Sequence, residues 1–260
     1  MNAFELAFNA LTECDIDKKI NQVASLHAHK NTLEFSNAFP VHSIEIPGRP
    51  DKPALVRFQD LPKHNKSDLS FIHTIHAICH IEFNAINLAL DAIYRFQKLP
   101  EQFYQDWIQV AFEESQHFTL INNYLTELGY QYGDFVAHNG LWKMTLDTDY
   151  DVLARMALVP RVLEARGLDV TPKIQKRFLH SKFSAMSDIL QTIFEDEIGH
   201  VKIGNTWFHY LCQQRGVNPL STFDDLIKKH IGSELRGPFN IEARKLADFS
   251  KQELDYLQRI

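Results

Sequence analysis

The sequence predicts an all-α protein built around a four-helix bundle. Three observations predict this fold class. Four long stretches carry apolar residues at three- and four-residue spacing, the period of a helix with one buried face. Prolines and glycines that end or begin helices fall between these stretches. The 260 residues, 45% of them hydrophobic, also suffice for a sizeable core.

Residues 1–66 are predicted to form an N-terminal arm rather than a separate domain. Short helices are expected near 2–12 and 15–28. Between 39 and 64 prolines recur and no helical period is visible, so we expect extended chain that follows the surface.

The first two long helices are predicted to form a hairpin. Ser67 and Asp68 are good N-cap residues for the first helix, which ends at Leu99-Pro100 because proline disfavours helix in the residue before it. The second helix runs roughly over 101–128, with Gly129 as its C-cap. We interpret 129–150 as a long crossover between the second and third helices.

The third long helix is predicted over about 150–166, with a kink or a restart at Pro160 and an end at Gly167. Thr171-Pro172 is typical of a helix start and predicts a short connecting helix there. The fourth long helix is predicted over about 183–214. Two or three short helices are expected in 220–260.

These elements predict a three-part organisation of the chain. The parts are the arm at 1–66, the bundle at 67–215, and C-terminal short helices packed on the bundle at 216–260.

Four glutamates occupy positions where the apolar stripes require a buried residue: Glu82, Glu114, Glu164 and Glu197. A buried and unpaired carboxylate costs several kcal/mol or is neutralised. Four of them on inward faces therefore indicate a shared cation. The alternative is that they are solvated glutamates on surface helices, but surface glutamates would not follow the apolar stripes.

Two of the glutamates have a histidine three residues later, in the pairs Glu114/His117 and Glu197/His200. Residues at this spacing project from the same side of a helix, so each helix can offer an oxygen and a nitrogen ligand. About one Glu-x-x-His is expected by chance at this composition. Carboxylate with imidazole suits iron or manganese better than magnesium or structural zinc.

The sequence resembles the ferritin-like di-metal carboxylate proteins, which combine two lone glutamates with two Glu-x-x-His pairs. More closely, it resembles a bacterial ferritin-like family of uncharacterised function that is similar to di-iron hydroxylases, including one acting on a modified tRNA base. The stretches that carry the resemblance are YGDFVAHNGLW (132–142), ARMALVPRVLEARGLDVTP (154–172) and DEIGHVKIGNTWF (196–208). The resemblance covers about 67–250.

The resemblance implies a ferritin-like bundle that binds two iron ions, with manganese or zinc as alternative metals. The implied ligands are Glu82, Glu114, His117, Glu164, Glu197 and His200. It also implies that the acid before each Glu-x-x-His orients the histidine of the other helix. Asp196 would then orient His117, and Glu113 would do the same for His200.

The function expected from the resemblance is that of an oxygen-dependent oxidoreductase, a hydroxylase or an oxidase, in which Glu114 and Glu197 bridge the metals. Its substrate would be a small molecule or a modified nucleotide, and it would need an electron donor. The alternative is a non-catalytic protein that binds metal or handles iron. The sequence contains no dedicated substrate motif.

Charge and apolar patterning limit the partners. A net charge of -6 disfavours a dedicated polyanion binder. The locally basic stretch 155–182 is usually a solvated face, although it could hold an anionic substrate. The most apolar stretch, 69–96, is interrupted by charged and histidine residues, which excludes a membrane span. Widely spaced cysteines and no signal peptide at 1–12 predict a cytoplasmic protein.

Three histidines, His73, His76 and His80, share one face of the first long helix. That face is turned well away from Glu82. We interpret them as a surface or a partner contact in preference to a second metal site.

Overall fold

The computed structural model describes residues 1–36, 38–62, 68–232 and 235–259. The described chain is predominantly helical, which confirms the all-α prediction. It divides into two compact units, residues 1–146 and 147–260. Among the described residues, none of the helices combines the length and the apolar character needed to span a bilayer.

Within its described residues the first unit contains five α-helices, two three-residue 3₁₀-helices (Lys30–Thr32 and Phe58–Asp60) and two very short parallel strands. The α-helices are α1 (Ala3–Thr12), α2 (Ile16–Ala28), α3 (Asp68–Arg95), α4 (Glu101–Glu127) and α5 (Gly140–Asp147). Helix α5 ends one residue beyond the unit boundary. The strands are β1 (Leu55–Val56) and β2 (Ala137–His138). The two N-terminal helices, the first hairpin and its helix ends were predicted to within a few residues. Ser67 lies outside the described residues, and Asp68 is the first residue of α3.

Helices α3 and α4 form the antiparallel hairpin at the centre of this unit. Close to the turn the Tyr104 hydroxyl donates to the Phe96 carbonyl over 3.1 Å, and further along the hairpin the Phe83 and Phe118 rings lie 5.4 Å apart. The apolar stripes of both helices are buried between them and against α1 and α2. This packing sets which residues of α3 and α4 lie level with each other.

The N-terminal arm lies against the stretch that follows α4. The buried Trp142 indole donates to the carbonyls of Ile44 (3.2 Å) and Glu45 (3.0 Å). Strands β1 and β2 pair nearby, with the Ala137 amide bonded to the Ala54 carbonyl. The stretch 129–150 is therefore more regular than predicted, because the arm supplies hydrogen-bond partners distant in sequence.

The second unit contains six α-helices and one π-helical segment within its described residues. They are α6 (Val152–Leu158), the π segment (Val159–Glu164), α7 (Ala165–Leu179), α8 (Ala185–Arg215), α9 (Pro219–His230), α10 (Ile241–Leu246) and α11 (Lys251–Leu257). Two or three short helices were expected in 220–260, and the described residues there form α9, α10 and α11. The predicted partition of the chain at 66/67 and 215/216 stays a prediction, and its first boundary lies among residues that the structure does not describe.

Two predicted helix boundaries are wrong. Helix α7 runs through both Gly167 and Pro172 to Leu179, so no helix ends at the glycine or starts at the proline. Pro172 cannot donate to the carbonyl four residues earlier. That carbonyl, of Leu168, instead accepts a 3.1 Å hydrogen bond from the Asn240 side chain. A partner distant in sequence therefore offsets the local helix-breaking tendency.

Candidate metal centre

The first unit brings three of the predicted ligands together. Glu82 lies near the middle of α3, and Glu114 and His117 lie one turn apart on α4. The side chains of Glu82, Glu114 and His117 are only 5%, 0% and 1% exposed. The antiparallel hairpin places Glu82 opposite the Glu114/His117 pair, as expected from a turn midway between residues 82 and 114.

The imidazole of His117 faces both carboxylates with the same nitrogen. Its Nδ1 lies 3.3 Å from Glu114 Oε2 and 3.4 Å from Glu82 Oε2. Ligand atoms of the three residues all lie within 4.8 Å of one another. Two oxygens and one nitrogen thus converge on one small buried volume.

Burial and charge make this cluster electrostatically unusual. Burial and the charge of Glu114 together raise the pKa of Glu82 well above its ordinary value. Burial alone would lower the pKa of His117, but hydrogen bonds and charges from Glu114 and Glu82 outweigh it and raise that pKa to about 11. One imidazolium can balance only one ionised carboxylate, and the raised pKa of Glu82 reflects this shortage of positive charge together with burial.

The second unit contains the other Glu-x-x-His pair and the fourth glutamate. On α8 the Nδ1 atom of the buried His200 lies 3.8 Å from Glu197 Oε1, and the Glu197 side chain is 13% exposed. Glu164 is the last residue of the π segment and is partly buried. In both pairs the Nδ1 nitrogen, rather than Nε2, faces the glutamate three residues earlier.

This donor set fits a divalent metal ion. A buried group of carboxylates requires a compensating positive charge, and oxygen with imidazole nitrogen is a donor combination that iron, manganese and zinc accept. Glu82, Glu114 and His117 can therefore bind a metal in the first unit. Binding would displace the proton from His117 Nδ1, since a ligating imidazole must be neutral.

The two residues predicted to orient the histidines lie next to the ligand pairs. Glu113 is partly buried and accepts a 2.7 Å hydrogen bond from the Gln109 side chain. Asp196 is partly buried on α8. Their proposed roles towards His200 and His117 stay predictions.

The interpretation of His73, His76 and His80 as a surface group is wrong for the last two, which are buried. The Gly133 amide donates to His76 Nε2 over 2.9 Å, and the Tyr132 hydroxyl lies 2.8 Å from His80 Nδ1. Burial is the main cause that lowers the pKa of both imidazoles to about 4. The stretch after α4 covers them, a contact that the helical period cannot reveal.

The basic stretch 155–182 is only partly a solvated face. Arg155 and Arg161 are buried, and their guanidinium groups pair with Thr148 and Glu253 respectively. Neither is therefore available to bind an anion at the surface. The remaining basic residues of the stretch are exposed: Arg166, Lys173, Lys176, Arg177 and Lys182.

The fold and the cluster define a class: a helical protein with a buried carboxylate–histidine group that can bind a metal ion. Residues 12–255 match the model of a family described as "Protein of unknown function (DUF455)", and the chain belongs to that family. A protein of Haemophilus influenzae named "Uncharacterized protein" is 48% identical over 219 residues, which cover 81% of this chain and 76% of the relative. No solved structure matches the chain.

Proposed function

We propose that this protein is a di-iron carboxylate oxidoreductase that uses dioxygen, with Glu82, Glu114, His117, Glu164, Glu197 and His200 as ligands of two iron ions. The observation that carries the proposal is the convergence of Glu82, Glu114 and His117 in a buried cluster. The same Glu-x-x-His relationship on α8 supports a second set of ligands of the same type. The proposed architecture is the ferritin-like bundle, with α3, α4, the helical run 152–179 and α8 as its four helices.

The residues of the chain have distinct parts in this proposal. The carboxylates of Glu82 and Glu114 supply negative charge in a dry interior, where it binds a cation strongly. His117 presents Nδ1 and releases its proton when metal binds. Two bound ferrous ions would supply the electrons with which dioxygen is reduced. Phe83 and Phe118, next to Glu82 and His117 in the sequence, are buried and pack against each other, and we propose that they help to keep the hairpin interior dry.

The substrate is proposed to be a small molecule or a modified nucleotide, and an electron donor must return the iron to the ferrous state. Glu114 and Glu197 are proposed as the bridging ligands, and a cytoplasmic location accompanies the proposal. Support for these finer points is the resemblance of residues 132–142, 154–172 and 196–208 to ferritin-like proteins.

The test is anaerobic reconstitution of the full chain with ferrous iron, followed by metal quantification, exposure to oxygen and measurement of oxygen uptake. Wild-type protein is expected to bind two irons per chain and to consume oxygen. His117→Ala and Glu114→Ala are expected to bind less iron and to lose uptake. The matched controls are His42→Ala and Glu127→Ala, which change exposed side chains of the same unit.

The outcomes separate the proposal from its main alternative. Wild-type protein that binds two irons without taking up oxygen favours a non-catalytic role in metal binding or iron handling. Protein that prefers zinc over iron favours the same alternative. Wild-type protein that retains no metal, or ligand variants that behave like the two control variants, would overturn the metal-centre proposal itself.

A further inference from the structure

The π segment that carries Glu164 contains a local conflict. Pro160 is its second residue, and a proline inside a helix lacks the amide hydrogen and crowds the carbonyl four residues earlier. A π-helical turn is wider than an α-helical one and relieves that crowding, but such segments are rare and short. Contacts with the rest of the second unit must therefore maintain it.

Arg161, the residue after this proline, is completely buried. Its guanidinium lies over two aromatic rings, 4.0 Å from the centroid of Phe208 and 4.4 Å from that of Phe223. Its Nη2 atom donates to Glu253 Oε1 of α11. Cation–π contacts and one carboxylate thus compensate a charge that burial would otherwise disfavour.

Glu253 is held in place independently of Arg161. Its Oε2 atom accepts from the Ser250 amide (2.8 Å) and the Ser250 hydroxyl (2.7 Å), which forms the capping box of α11. His209 Nε2 lies 3.1 Å from Oε1. Ser250 and His209 therefore hold the Glu253 carboxylate in position, and this carboxylate in turn binds the Arg161 guanidinium.

A second arginine secures the residue that follows Glu164. Arg244 of α10 donates from Nη2 to the Ala165 carbonyl over 3.3 Å and to Asp169 over 2.8 Å. The chain is thus held three residues before Glu164 by α11 and one residue after it by α10.

We infer that Arg161 and Glu253 are positioning residues for Glu164, through which the C-terminal helices hold a metal ligand in place. The inference rests on the proposed function, because it treats Glu164 as a ligand. A ligand on a strained helical turn requires such support, since partners outside the ligand shell typically change metal affinity by about 10- to 100-fold. An arginine inside the apolar run ALVPRVLEA is the sequence feature that indicates this role.

A purely structural ion pair would have a different signature. It would lower the thermal stability of the second unit without changing the metal affinity of the folded protein. The experiment therefore compares three variants of the full chain: Arg161→Met, Glu253→Gln and, as the control, Arg215→Met. Arg215 forms a bidentate pair with Asp151 in the same unit, and this pair does not involve residues 159–165.

Two measurements are made below the melting temperature of every variant. Metal-free protein is titrated with Co²⁺, whose absorption reports both affinity and coordination. Hydrogen exchange of the metal-free protein is measured over 159–165. Arg161→Met and Glu253→Gln are expected to bind Co²⁺ about 10- to 100-fold more weakly than wild type and to exchange faster over that segment. Arg215→Met is expected to match wild type in both.

The results separate the two proposals. Wild-type affinity in Glu253→Gln, or an equal loss in Arg215→Met, overturns the positioning role. If Arg161→Met does not fold, Glu253→Gln decides the question. Wild-type protein that binds no Co²⁺ counts against the proposed metal centre, whereas the exchange rates over 159–165 still show whether the C-terminal helices hold the segment.

Discussion

Gly204 on α8 lies against Pro160 of the π segment so closely that a Cβ at residue 204 would be 2.3 Å from the Pro160 Cβ. A pyrrolidine ring cannot swing aside as a flexible side chain can. The absence of a side chain on Gly204 therefore allows α8, which carries Glu197 and His200, to pack tightly on the segment that carries Glu164.

This contact predicts that Gly204→Ala lowers the free energy of unfolding by about 1–3 kcal/mol, the usual cost of overpacking. Gly199→Ala is the control on the same helix, because its Cβ would meet nothing within 4 Å. Alanine there should be neutral or should stabilise the protein by about 0.5–1 kcal/mol, since it favours helix more than glycine. Urea denaturation measures both changes, and equal effects of the two variants would contradict the prediction.

Glu82→Gln is predicted to have opposite effects on the metal-free and metal-loaded protein. Burial and the neighbouring Glu114 disfavour the ionised carboxylate and raise its pKa. A raised carboxyl pKa means that folding costs free energy at neutral pH, so replacing the carboxyl with a neutral amide should stabilise metal-free protein by on the order of 1 kcal/mol. The same change removes a ligand, so added ferrous iron should raise the melting temperature less than in wild type. Destabilisation of the metal-free variant would refute this account.

The pair formed by Glu253 and Arg161 predicts a pH-dependent stability. Burial alone would raise the pKa of Glu253, but the hydrogen bond from His209 and the charge of Arg161 hold it well below its usual range. A lowered carboxyl pKa contributes stability that is present above the unfolded-state value, about 4.5, and is lost as the pH falls below it.

Glu253→Gln should therefore be roughly 3 kcal/mol less stable than wild type at pH 7, near the lower end for breaking a buried pair. The difference should shrink as the pH decreases from 4.5 towards 2. Urea unfolding at several pH values tests this, with Glu127→Gln as an exposed control whose curve should parallel that of wild type. A difference that stays constant with pH would argue against ionisation of Glu253 as its source.

Lys19 is predicted to stabilise the N-terminal arm on the hairpin. Its buried ammonium donates to the carbonyls of Ala10 (2.6 Å) and Leu11 (3.1 Å), near the end of α1, and to Asn87 Oδ1 of α3 (2.8 Å). Lys19→Met removes the Lys19 donor from the Ala10 carbonyl and from Asn87 Oδ1, whereas the Leu11 carbonyl still accepts from the Gly48 amide (2.8 Å). Loss of these buried bonds costs about 1–3 kcal/mol. Lys18→Met changes an exposed neighbour and should alter the unfolding midpoint little. Similar midpoints for the two variants would show that the three bonds contribute nothing.

Short-range regularities explain why much of the fold and the first ligand cluster could be predicted. The i, i+3 spacing of Glu114 and His117 places them on one helix face whatever surrounds the helix. The turn at Leu99-Pro100 then sets Glu82 level with them, because an antiparallel hairpin pairs residues equidistant from its turn. The end of the fourth long helix, predicted near residue 214, lies at Arg215, immediately before Gly216.

The errors arose where distant residues compensate a local preference. Pro172 did not start a helix because Asn240, far along the chain, satisfies the carbonyl that the proline leaves without a donor. His76 and His80 are buried because the stretch after α4 folds over them. Neither contact changes the hydrophobic periodicity of the helix concerned, so the sequence pattern did not reveal it.

The sequence by itself determined the helical class, the Glu-x-x-His pairs and the hairpin that brings Glu82 to Glu114 and His117, because helical geometry depends on nearest neighbours along the chain. Only the tertiary structure decided that Nδ1 is the imidazole nitrogen that faces the glutamate in both Glu-x-x-His pairs. It also decided that Arg161 pairs with Glu253. Those relationships depend on side-chain direction and on contacts between residues up to 92 positions apart, which no local pattern encodes.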